Sequence, residues 1–157
     1  MNIFKKLVIF LLCTSLHTYA KTSDEDYLTG FIDNFSSGKI ESSASRYLVQ
    51  TPHFIFDPKI FSPSSAAEVE ATLADIRFAL EKSGYAKSEI VNFQTQFSRE
   101  NLTITSALLK RYTSHYSLLD HICSTYTLAN TEKGWKILSW LPPKSTTQCF
   151  IKNKSSN

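Results

Sequence analysis

The spacing of apolar residues changes once along this chain, at Gly84, and that change limits the fold more than any other feature. Before it, apolar side chains recur every three to four positions. Tyr27, Leu28, Phe31, Ile32 and Phe35 mark one helix face, and Val69, Leu73, Ile76 and Leu80 mark another. Thr22 with Glu25, and Ser65 with Glu68, have capping-box spacing at the two starts, while Gly38 and Gly84 are natural stops. Asp24, Glu25 and Asp26 fall in a first turn, where the helix dipole favours negative charge. Between these helices, residues 44–49 predict a shorter one that Pro52 ends, and residues 53–56 (HFIF) predict a short strand closed by Asp57-Pro58.

After Gly84 the period is two. Val91, Phe93, Thr95 and Phe97 alternate with Asn92, Gln94, Gln96 and Ser98, the pattern of a strand with one buried face. Strands over 102–112, 118–129 and 135–141 follow, the last stopped by Pro142-Pro143. Helices segregated from a run of antiparallel strands predict an α+β domain, with the long amphipathic helices covering one sheet face.

The segment YTLANTEKGWKILSW predicts the register of the last hairpin. With residues 130–133 as a four-residue loop, Ala129 faces Gly134. Leu128 then opposes Trp135, Tyr126 opposes Ile137, Ser124 opposes Ser139, and Ile122 opposes Leu141, which makes one mostly apolar surface for the helices. The opposite surface holds His121, Cys123, Thr125 and Thr127 beside Lys136, Leu138 and Trp140. Leu138 and Trp140 then form an outward apolar patch, which predicts a homodimer through the outer sheet face.

The first twenty residues stand apart. Lys5 and Lys6 precede an apolar run, Leu7 to Leu12, and Ala20 offers a small residue for cleavage, so residues 1–20 read as a signal peptide. An uncleaved anchor is the competing reading, disfavoured by a run shorter than the ~20 residues a bilayer requires. Residues 1–20 hold two of the 17 Lys and Arg and none of the 14 acids, so the remainder carries 15 basic against 14 acidic side chains, a balance of +1. That balance excludes a basic nucleic-acid footprint. The expected product is a secreted or periplasmic protein with a domain over 21–145, a polar tail over 146–157, and no membrane segment after cleavage. Cys123 and Cys149 remain in a compartment that permits a disulfide, and spacing alone does not decide whether they form one.

The pattern Tyr126-x-Leu128 with Gly134-Trp135-x-Ile137, preceded by helix, short helix, strand, helix and three long strands, resembles the NTF2-like superfamily, and within it the SnoaL-like domains of unassigned role. The resemblance covers 23–143. It implies a cone of curved antiparallel sheet packed around N-terminal helices, with a pocket at the wide end, and it also favours pairing through the sheet face. Tyr27, Phe31, Phe35, Phe93, Phe97, Ser124, Trp135 and Ile137 are the candidate pocket lining, with core packing as the alternative role for the aromatics. Members of the superfamily include isomerases, dehydratases, cyclases, transport adaptors and exported domains, and fold does not choose among them.

Asp120 is the candidate acid/base, because strand parity places it on the face of Ile122, Ser124 and Tyr126. Tyr126 is the candidate hydrogen-bond donor. The competing reading pairs Asp120 with Lys110 or Arg111 at the strand end. His121 has the opposite parity, and His115 falls in the preceding loop. No cysteine or histidine spacing suits zinc, and no glycine loop suits phosphate, so no metal or cofactor is expected. QTQFS lacks the Gln-x-Val-x-Gly loop of cystatin inhibitors. The favoured expectation is an exported domain that binds a small apolar ligand or a protein partner in or around its pocket. The alternative is a cofactor-independent isomerase, dehydratase or cyclase using Asp120.

Overall fold

The computed structural model describes residues 23–56, 58–141 and 149. The expected signal peptide over 1–20, residues 21–22, Asp57, residues 142–148 and residues 150–157 lie outside them. The elements are α1 (Asp24–Ser36), α2 (Ile40–Tyr47), β1 (Leu48–Phe56), β2 (Lys59–Phe61), α3 (Ala66–Lys82), β3 (Lys87–Arg99), β4 (Leu102–Tyr112), β5 (Leu118–Thr131) and β6 (Gly134–Leu141). No described helix is long and apolar enough to cross a membrane.

Local chemistry accounts for the helix ends, with two adjustments. Helix α1 is capped by Ser23, whose hydroxyl accepts from the Asp26 amide at 3.1 Å, in place of the expected Thr22–Glu25 box. At α3, the Ser65 hydroxyl accepts from the Glu68 amide at 3.3 Å. The Glu68 carboxylate reaches past Ser65 to accept from the Ser64 amide at 2.8 Å and its hydroxyl at 3.0 Å. Those bonds, the amide's first, hold Glu68 below the usual carboxylate range.

Helix α2 passes straight into β1, so Val49 is strand and Pro52 ends nothing. Pro52 falls where the β1–β6 pairing lapses between Leu48 and His53, and its missing N–H therefore costs no ladder bond. Gly30 lets α1 close on α2, since a Cβ there would lie 2.5 Å from the Tyr47 hydroxyl oxygen.

The six strands form one curved, unclosed sheet in the order β2-β1-β6-β5-β4-β3. Neighbours are antiparallel apart from β1 and β6, a parallel pair that no local pattern in the chain marks. The helices cover the inner face, where Leu28, Phe31, Phe54, Leu73, Leu128 and Ile137 are fully buried. On the outer face Gln96, Ser106 and Thr125 join in a hydrogen-bond ladder, with Ser106 2.8 Å from each neighbour. Cys123, facing the same way, is bonded to Cys149, with Cα atoms 5.0 Å apart.

Bulges alter the expected alternation in two strands. In β3 the register slips between Ile90 and Asn92 and again between Thr95 and Phe97. Phe93 and Thr95 stay inward, opposite the buried Ala107 and Thr105, while Val91 and Phe97 are exposed. In the last hairpin the turn holds two residues, Glu132 and Lys133, because Thr131 pairs with Gly134, and left-handed Gly134 (φ 86) accommodates it. Leu128 accordingly faces Ile137 in place of Trp135. A slip between Thr127 and Leu128 then pairs Tyr126 with Trp140, so both Ile137 and Trp140 point inward. Trp140 is therefore not on the outer face, and the expected dimer patch of Leu138 and Trp140 does not exist as a pair.

Candidate functional site

A cavity of about 470 Å³ lies between α1, α3 and the inner sheet face. Its floor comes from period-two positions on three strands: Leu109 and Arg111 on β4, Ile122, Ser124 and Tyr126 on β5, and Trp140 on β6. Helix α1 contributes Phe31, Ile32 and Phe35, and α3 contributes Asp75, Ile76, Ala79 and Leu80. The volume falls within the usual range for small-molecule pockets, and most of the wall is apolar.

Trp140 organises the aromatic part. Its ring meets Phe31 and Phe35 edge-on, at centroid distances of 5.6 and 5.5 Å, and stacks on Tyr126 at 6.1 Å. The Trp140 Nε1–H donates to the Ser124 hydroxyl at 2.6 Å, and Ser124 donates to the Leu141 carbonyl at 3.2 Å. Burial pushes the Tyr126 phenol well above the ordinary tyrosine value, with the neighbouring Ser124 pulling the other way. Tyr126 is a neutral O–H at any physiological pH.

Besides Asp75 on α3, the polar groups of the wall come from two further places. Tyr85, after α3, sets its hydroxyl 3.0 Å from that of Ser36 and 2.9 Å from that of Ser88. Arg77 holds this corner together. Its Nη1 donates to the Ser36 and Ala86 carbonyls at 2.7 and 3.1 Å, and its guanidinium lies 4.9 Å from the Tyr85 ring centroid. The other group is Arg111, which faces Asp120 across the β4–β5 pairing. Its Nε donates to Asp120 Oδ1 at 2.7 Å and its Nη2 donates to Oδ2.

Of the residues singled out in the sequence, Phe31, Phe35, Ser124 and Tyr126 come together in the cavity wall. Five others do not. Tyr27 packs on Tyr47 at 5.0 Å and donates to the Arg46 carbonyl at 2.8 Å, at the far end of α1. Phe93 lies beside α1 with Glu25, Thr29 and Asp33, away from the cavity. Phe97 is turned outward by the second β3 bulge, Trp135 packs at the hairpin turn, and Ile137 is core. Asp120 is not itself part of the wall, and both its oxygens are occupied by Arg111. Trp140, Arg111, Tyr85 and Ser88 belong to the site and were not assigned to it from sequence. Arg111 had a readable signal, since it follows Leu109 by two residues on a period-two strand. Tyr85 had none, because it lies in a loop. Among the described residues no three His, Cys, Asp or Glu side chains form a set that would hold a metal ion.

Comparison with known proteins agrees with this architecture. Residues 22–145 match the family model described as NTF2-like protein (DUF6841). No curated protein matches the chain in sequence. Among solved structures, it is similar to a domain of unknown function with a cystatin-like fold from Nostoc punctiforme, with TM-score 0.57 and 18% identity over 81% of this chain and 80% of that one. It is also similar to a candidate ketosteroid isomerase from Shewanella frigidimarina, with TM-score 0.57 and 15% identity over 74% of this chain and 90% of that one. A candidate dehydratase of the NTF2-like family from Streptomyces avermitilis gives TM-score 0.55 and 14% identity, covering 73% and 88%. At these identities the likeness is one of fold.

Proposed function

The chain belongs to the NTF2-like family DUF6841, and from that premise we propose that it is an exported domain that binds one small, flat, mainly apolar molecule. The observation that carries this reading is the cavity of about 470 Å³, walled by Phe31, Phe35, Tyr126 and Trp140. Few polar groups face into it, which suits binding and orientation of a ligand. Export rests on Lys5, Lys6, the apolar run after them and Ala20. N-terminal sequencing of the exported protein should begin near Lys21, and a retained Met1 in a membrane fraction would refute export.

The acid/base reading is weaker on this geometry. Proton abstraction requires a carboxylate that can reach a substrate, and the Arg111 fork occupies both Asp120 oxygens. Asp75 reaches the cavity from the exposed side of α3, without a second convergent acid beside it. The outer sheet face lacks the apolar pair expected to join two copies, because Trp140 is inside and Cys149 is bonded to Cys123 there.

The test is direct. In a Trp135→Phe background, Trp140 reports on the cavity, and 2-ethylnaphthalene should quench it saturably with one site per chain. Ala79→Phe, on the exposed rim of α3, should weaken that binding while leaving the melting temperature near that of the parent. Quenching that stays linear with concentration would refute the binding reading.

A further inference from the structure

The Arg111–Asp120 pair narrows the class of ligand. A guanidinium carries five N–H donors, and the fork to Asp120 commits one on Nε and one on Nη2. Arg111 Nη1 meets no hydrogen-bond partner among the described residues. In the same set, no side-chain nitrogen or oxygen sealed from solvent lacks a partner. Nη1 is therefore not sealed away, and Arg111 is one of the residues that line the cavity. These donors call for an acceptor on whatever occupies it.

Charge balance then decides what kind of acceptor. Asp120 already cancels the Arg111 charge, and both side chains are largely withdrawn from water, at 14% and 29% exposure. Leu109 and Ile122, each two residues along its strand, flank the pair on the cavity side with apolar surface. A ligand carboxylate would leave one negative charge uncompensated there, which an apolar site penalises heavily. Asp75 on the opposite wall adds repulsion of the same sign. A ligand cation would find no use for the Arg111 donors.

We propose that the cavity takes a neutral, flat molecule whose carbonyl oxygen, or an equivalent uncharged acceptor, is bound by the free N–H donors of Arg111, with its rings among Phe31, Phe35 and Trp140. Asp120 is a positioning residue in this site: it aims the guanidinium and cancels its charge. The proposal rests on the binding reading above and adds to it the chemistry of the ligand.

Three matched probes on one two-ring body test it in the Trp135→Phe protein: 2-acetylnaphthalene, 2-ethylnaphthalene and 2-naphthoate. The ketone should bind more tightly than the carboxylate. Its preference over the hydrocarbon should fall by roughly tenfold or more in the double variant Arg111→Met/Asp120→Asn, the size of a hydrogen bond to a charged donor. That preference is a ratio taken within one protein, so a general change in pocket affinity cancels from it. A ketone labelled with ¹³C at the carbonyl should also shift downfield on binding to the unaltered pocket, and that measurement stands even where the double variant is unstable. Tightest binding of the naphthoate, an unshifted carbonyl, or an unaltered ketone preference in the double variant would each overturn the proposal while leaving the binding reading in place. Failure of all three probes to bind would remove both.

Discussion

The two ends of α1 carry the same kinds of side chain and arrive at different outcomes. At its N-terminal end Tyr27 lies on Tyr47 at 5.0 Å, Gly30 admits the Tyr47 hydroxyl, and the rings fill the space. At its C-terminal end Phe31 and Phe35 meet Trp140 at 5.6 and 5.5 Å, and an open cavity lies beside them. Aromatic content is common to both ends, so it does not explain the difference. The covering helix does. Helix α2 packs directly on α1, whereas α3 packs on α2 and β1 and leaves space between itself and α1. Polar corners hold that gap open: Arg77 ties α3 to the C-terminal carbonyls of α1, and Tyr85 bridges Ser36 and Ser88. Whether an aromatic face becomes core or cavity wall depends on the distance at which its cover is held.

The largest effects should separate the two ends. Tyr47→Ala removes a ring that is 5% exposed and contacts both Tyr27 and Phe31. It should cost about 3–5 kcal/mol, the usual loss for a buried aromatic whose site collapses poorly. Leu80→Ala, on the half-buried cavity wall, already faces free space and should cost less, about 1–2 kcal/mol. Urea denaturation of both variants checks the contrast, and equal losses would mean that the cavity wall is packed like the core.

A smaller effect concerns protons. Burial raises the Tyr27 phenol, with Tyr47 adding to the rise and Arg46 opposing it. Burial raises Tyr126 as well. In each case the folded protein keeps a proton that the unfolded chain releases near pH ~10. Their stabilisation is complete below that pH and is lost as pH rises above it, by about 1 kcal/mol per group or less at pH ~11. Melting temperatures from pH 8 to 11 should show the decline, and Tyr126→Phe should flatten it. Tyr27→Phe should flatten it too, and should also lower stability at neutral pH by about 1 kcal/mol, since its hydroxyl donates to the Arg46 carbonyl. A pH response that ignores Tyr126→Phe would mean that the phenol is not sealed within the cavity wall.

Much of the architecture was legible in the chain. The two long helices, the run of strands after Gly84 and the α+β class follow from apolar spacing, caps and turn residues, all of which act over a few positions. The inward parity of Asp120 and Tyr126 was legible for the same reason, because β4 and β5 pair from Leu102 to Arg111 without a slip. Legibility ended at the bulges. Parity predicted Val91 and Phe97 inward and Trp140 outward, and each was reversed by one extra residue in its strand.

Trp140 shows where the division lies. Alternation specifies a face only while the register is unbroken, and a slip of one residue turns every later side chain to the other side. Nothing local to KILSW marks the slip. It is favoured by partners distant in the chain, since it buries the indole against Phe31, Phe35, Phe54 and Tyr126 and provides its N–H with Ser124. The cavity has the same origin, because its volume is the gap that α3 leaves over α1, and a gap between elements has no sequence of its own. Period and capping determined which residues would be helix or strand. The long-range contacts that a bulge makes available decided which of them would face the cavity.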